Sequence, residues 1–136
     1  MPMFGSRSRS RLLTCDPRIQ LICNVVIDTY DFTIIWGFRG KEDQNDCFDR
    51  GTSTKMFPNS KHNIAPSIAV DIAPWHDRKP HIRWNNNLEF VQLSGRFLQA
   101  ADALKVKIRW GGDWDMDSDL YDFNKPFDLG HFEVMV

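Results

Sequence analysis

At 136 residues, 42% hydrophobic and 26% charged, the chain has the length and balance of one globular domain, neither disordered nor dependent on disulfide staples. A net charge of -1 excludes a general nucleic-acid binder, and no apolar run is long enough to suggest a membrane span. Cys15, Cys23 and Cys47 form no close pair and are odd in number, so they read as small buried hydrophobes of a chain made in a reducing compartment.

Residues 1–11 alternate Ser6, Ser8 and Ser10 with Arg7, Arg9 and Arg11 and read as a basic flexible arm, solvated or touching an acidic polymer. No apolar stretch follows this basic start, so no secretion signal is expected. A single domain over 12–136 follows. Asp16-Pro17 supplies an N-cap and a proline at the first helical position, and Ile19, Ile22 and Val26 recur at helical spacing, so a helix is expected over 17–29. Phe32 to Trp36 is β-branched and aromatic and ends at Gly37, as a strand does. A short helix is expected over 41–50, closed by Gly51, then loop over 52–67. Ile68 to Ala73 is a second strand, stopped by Pro74, and 75–84 is rich in turn residues. Leu88, Val91, Leu98 and Ala101 share a face of a helix over 86–103. Val106, Ile108 and Trp110 alternate as a third strand, and His131 to Val136 forms the last. The class is α+β, a small antiparallel sheet with helices on one side.

A catalytic zinc takes three nitrogen or oxygen ligands from the protein and keeps a fourth position for water. His62, Asp71 and His131 supply that set if the strands carrying Asp71 and His131 are neighbours. Asp128, three residues before His131 on the turn leading into its strand, is placed to take a proton from such a water. Singly, each has a plainer reading: a loop histidine, a strand-end turn cap, a half-buried strand residue. His76 and His81, in the turn-rich stretch, have no assigned role. The acidic segment Asp113, Asp115, Asp117, Asp119 places carboxylates on alternate positions, like the opening of a calcium-binding loop. Ser118 and Asn124 stand where that motif needs glycine and glutamate, so a solvated loop is the main reading and a Ca2+ site the alternative.

Taken together, Ser60-Lys-His62, Ala69-Val70-Asp71 and Asp128-Leu-Gly-His131-Phe-Glu133 resemble the M15 metallopeptidase family, above all its phage endolysins that act as L-alanyl-D-glutamate peptidases. Gly37-Phe-Arg39 with Gln44, then Phe48, Gly51, Ser53 and Lys55, continue the pattern upstream, and Lys107 to Trp114 resembles the segment before the last ligand. The resemblance implies a hedgehog/D,D-peptidase-like fold and a bacteriolytic hydrolase that degrades cell-wall peptidoglycan. It implies zinc on His62, Asp71 and His131, Asp128 as acid/base, Arg39 holding a substrate carbonyl or carboxylate, and Ser60 buttressing the first ligand. The alternative for Arg39 is a surface ion pair with Glu42 or Asp43, and for Ser60 a turn role. A monomer is implied, made without a signal peptide in the cytoplasm of a bacteriophage host and acting on the wall after release. The alternative functions are a D,D-carboxypeptidase or dipeptidase, and a non-catalytic zinc-stabilised wall-binding domain. Many members have a shorter spacer between the first histidine and the aspartate, with glycine where Ser67 stands, so residues 64–66 are expected to bulge.

Overall fold

The structure is a computed structural model that describes residues 2–114, 116 and 128–135. In chain order the described residues form α1 (Ser6–Leu12), α2 (Pro17–Ile27), β1 (Phe32–Trp36), α3 (Lys41–Asp49), a 3-10 turn (Lys61–Asn63), β2 (Ala69–Pro74), α4 (Asn87–Ala103), β3 (Ile108–Gly111) and β4 (Asp128–Val134). The four strands make one antiparallel sheet in the order β1-β2-β4-β3. Helix α4 packs across β2, β4 and β3, and α2 packs on α4. The α2 start follows its sequence signal: the Asp16 carboxylate accepts from the Arg18 amide at 2.9 Å and Pro17 needs no donor partner there.

Successive side chains of a strand point to opposite faces, and this sheet uses both. Phe32 and Ile34 of β1, Val70 and Ile72 of β2, Phe132 and Val134 of β4, and Ile108 and Trp110 of β3 join one buried apolar cluster with α2 and α4. Phe132 stacks on Phe97 of α4 at 4.0 Å between centroids. The residues between them, Asp71, His131, Glu133 and Arg109, therefore share the other face. Register then fixes their neighbours: Asp71 pairs with His131 across β2–β4, and Glu133 with Arg109 across β4–β3.

Three expectations need correction. Residues 2–11 do not form a detached arm: Phe4, Ser8 and Leu12 are buried, and α1 covers the outer edge of β1. Ser8 Oγ accepts from the Ile34 amide at 3.1 Å and Arg11 donates to the Ile34 carbonyl at 2.9 Å, satisfying groups that an edge strand leaves open. In α4 the buried face is Phe90, Leu93, Phe97 and Ala101, whereas Leu88 is 67% exposed and Val91 and Leu98 are only half-buried. The last strand begins at Asp128, not His131, so Asp128 is a strand residue opposite Gly111. All three cysteines are buried and free, as read from their number and spacing.

Gly130, beside His131, has no room for a side chain. A Cβ there would run into the Ile72 carbonyl oxygen of β2, a backbone atom that cannot turn aside. Gly130→Ala should lower stability by about 1–3 kcal/mol, as overpacking does. Thermal melting checks this, and an unchanged midpoint would contradict it.

Candidate active site

His62 lies on the 3-10 turn that starts after Ser60. Ser60 Oγ accepts from the His62 backbone amide at 3.2 Å, and Asn63 Oδ1 accepts from the Ser60 amide at 3.0 Å. Ser60 thus shapes the turn through the His62 backbone. The ring is held by Gly37, whose carbonyl lies 2.8 Å from Nδ1. The turn is laced to the same segment: the Arg39 amide donates to the His62 carbonyl at 2.8 Å and Asn63 Nδ2 donates to the Arg39 carbonyl at 2.9 Å. Residues 64–66 between His62 and β2, where the longer spacer led to the expectation of a bulge, are exposed. Ser67, in the place of the family glycine, is buried and its hydroxyl donates to the Ala69 carbonyl at 2.7 Å where β2 begins.

The three sequence-derived ligands converge. One donor atom from each of His62, Asp71 and His131 lies within 4.8 Å of the others, a group able to hold a metal ion. His131 Nδ1 is 2.9 Å from Asp71 Oδ1, and His62 Nε2 is 3.2 Å from Asp71 Oδ2. The second contact lacks hydrogen-bond alignment, so among the described residues the buried His62 Nε2 has no hydrogen-bond partner. A buried nitrogen left without a partner and aimed at a carboxylate suits a metal, because coordination satisfies a lone pair that the protein does not. The borderline-soft N/O/N donor set suits zinc and its first-row neighbours better than calcium.

Arg39 is almost fully buried and pairs inward with Asp71 Oδ2 at 3.3 Å, not outward with Glu42 or Asp43. Its guanidinium lies over Trp36 at 4.7 Å and donates to Gln44 Oε1 at 3.1 Å. Gln44 is a buried hub. Its oxygen also accepts from Asn63 at 3.1 Å, and its amide donates to Ser53 Oγ at 3.0 Å and to the Lys55 carbonyl at 2.6 Å. Arg39, His62, Asp71, Asp128 and His131 line one cavity of about 870 Å³, with Thr52, Lys55, Lys61 and Arg109 among its other walls. A second groove of about 860 Å³, between α1 and β1, brings together none of these groups. Asp113 lies within the described residues, whereas Asp115, Asp117 and Asp119 lie outside them, and the calcium expectation with them.

The electrostatics divide the two aspartates. Burial alone would raise Asp71, but the adjacent His62 and His131 rings hold it well below the usual carboxylate range. Asp128, on the rim, moves the other way, first through lost hydration against the site wall and then through the Asp71 charge. In the metal-free protein burial opposes a charge on His131, yet hydrogen bonds to Asp71 and Glu133 prevail and lift it from 6.5 to about 9. An incoming cation must displace that proton. Metal uptake should therefore release protons at neutral pH and weaken steadily as pH falls below about 9. Calorimetry in buffers of different ionisation heat measures this, and uptake at neutral pH with no proton released would contradict it. For the metal-free fold, the raised value adds stability below about 6.5 that is lost as pH rises through about 9.

The model of the phage L-alanyl-D-glutamate peptidase family matches residues 2–135. The chain belongs to this family. A relative from Escherichia phage T5, called L-alanyl-D-glutamate peptidase, is 32% identical over 136 residues, covering 97% of each chain. The fold of this peptidase is similar to that of the L-Ala D-Glu endopeptidase ChiX of Serratia marcescens, with a TM-score of 0.74 at 19% identity over 98% of this chain and 90% of that one. It is also similar to the vancomycin-resistance D,D-dipeptidase VanXYg, with a TM-score of 0.52 at 16% identity over 87% of this chain and 47% of the other. Among the described residues no helix is long and apolar enough to cross a membrane.

Glu133 escaped the sequence reading as a site residue. It is buried, bonded to His131 Nε2 at 3.0 Å, and lines the cavity. Its signal was its position two residues after His131 on a strand, hence on the same face.

Proposed function

We propose that this peptidase is zinc-dependent and hydrolyses peptidoglycan stem peptides at the L-Ala–D-Glu bond, as an endolysin. The observation that carries the reading is the cross-strand pair Asp71–His131, completed by a His62 Nε2 that has no hydrogen-bond partner among the described residues, in the cavity that Asp128 also lines. His62, Asp71 and His131 hold the ion. When bound, a zinc ion supplies Lewis acidity, polarising the scissile carbonyl and acidifying water. Asp128 takes the proton of the attacking water and delivers it to the leaving amine, a task suited to a carboxyl raised above its ordinary range. Arg39 steadies Asp71 on one side and offers its remaining N–H groups to a substrate oxygen on the other. Of the cationic side chains on the cavity wall, Arg109 is paired with Glu133, and Lys55 and Lys61 are the ones offered to a peptide carboxylate. The protein acts as a monomer on the wall, after release from the cytoplasm in which it is made.

Digestion of purified peptidoglycan, followed by mass spectrometry of the products, tests the reading. Release of stem peptides cut after L-Ala, abolished by a chelator and restored by zinc, is the expected result. Loss of terminal D-Ala alone would replace it with a D,D-carboxypeptidase. Wall binding without any cleavage would replace it with a zinc-stabilised binding domain.

A further inference from the structure

His62 and His131 present opposite ring nitrogens to Asp71. His62 turns Nε2 inward and ties Nδ1 to the Gly37 carbonyl, whereas His131 turns Nδ1 inward and ties Nε2 to Glu133 Oε1 at 3.0 Å. A neutral imidazole has one N–H and one lone pair, so the acceptor on the far side decides which nitrogen is free to bind an ion. For His62 that acceptor is a peptide carbonyl. For His131 it is a buried carboxylate, a group that is rarely so enclosed without a reason. Glu133 in turn is held by its cross-strand partner, whose guanidinium reaches Oε2 at 3.0 Å. Trp114 closes the circuit, its ring 5.2 Å from the Arg109 guanidinium and 5.4 Å from the His131 ring.

We propose that Glu133, fixed by Arg109, is the positioning residue of the metal centre: it accepts the Nε2–H of His131 and so commits Nδ1 to the ion. The inference rests on the zinc reading above. A carboxylate behind a ligating histidine fixes its ring and raises its basicity, and losing such a partner weakens metal binding by about 10–100-fold. The competing role is a purely structural ion pair that neutralises Arg109.

The test measures zinc affinity by chelator competition for the wild type, Glu133→Leu, Glu133→Gln and Arg109→Met, with the metal-free melting midpoint of each. Long-range proton–nitrogen spectra of the zinc-loaded proteins report which His131 nitrogen carries the proton. Expected are an affinity loss of about 10–100-fold in Glu133→Leu, a smaller loss in Glu133→Gln, and the smallest in Arg109→Met. The wild-type spectrum should show a protonated Nε2 on His131, with that signal lost or mixed in the Glu133 variants. Glu133→Gln is nearly isosteric and keeps the question open to measurement if Glu133→Leu does not fold. Lowered melting midpoints with unchanged zinc affinity and an unchanged ring signature would overturn the inference alone. A wild-type protein that takes up no zinc would overturn the metal reading as well.

Discussion

Asp128→Asn should leave the protein fully loaded with metal while peptide hydrolysis slows by about 10²–10⁴-fold, the usual contribution of a general acid–base group. The substitution is nearly isosteric, and Asp128 is not among the three converging donors. Its backbone is fixed independently of its side chain, because the Asp128 carbonyl abuts Gly111 across β3–β4. What changes is the ability to accept and return a proton. Metal content and the rate of stem-peptide release, measured on the same preparation, separate the two effects. Full turnover in the asparagine variant would remove Asp128 from the chemistry, and parallel loss of metal would make it part of the ion's seat.

His131→Ala should lose both metal and activity, with a fall in affinity larger than the about 10–100-fold expected for an outer partner. Two remaining donors cannot make a stable three-ligand site. The fold itself should survive in this variant. Asp71 retains Arg39 at 3.3 Å, and Glu133 retains Arg109 at 3.0 Å, so neither carboxylate is stranded by removal of the ring. A folded alanine variant that still binds one equivalent of zinc would refute the ligand set. Its near-native circular dichroism, together with absent metal, would confirm that the ion sits on the sheet without holding the sheet together.

The proposed ligands were legible because their chemistry is written in short strings. Ser-x-His, Ala-x-Asp and Asp-x-x-His name residue types that only a few tasks require, and the alternation of β2 and β4 puts Asp71 and His131 on one face once those strands are paired. What surrounds them was harder to read. Gln44 was visible as part of a motif, but a glutamine gives no sign that all of its hydrogen bonds will be made inside the protein. The serine–arginine alternation at the N-terminus masked a second pattern, Phe4, Ser8 and Leu12, whose four-residue spacing is the buried one. Ser8 breaks the apolar stripe because it serves the backbone of β1, a purpose only tertiary structure reveals. In α4 two apolar stripes compete. Phe90 and Phe97 win the core because their larger surfaces gain more from leaving water than Leu88 and Leu98 do.

The sheet's regularity is unevenly shared. Its two inner strands run in step where Asp71 faces His131, while each border strand breaks step beside them, between Ile34 and Trp36 on one flank and between Trp110 and Gly111 on the other. Arg39 follows one break and Asp128 stands opposite the other. Two of the three proposed metal holders, Asp71 and His131, thus sit where the sheet is regular, while Arg39 and Asp128, proposed to meet the peptide, sit beside its irregularities. An insertion or deletion along those margins would move Arg39 or Asp128 while leaving the Asp71–His131 pairing in register.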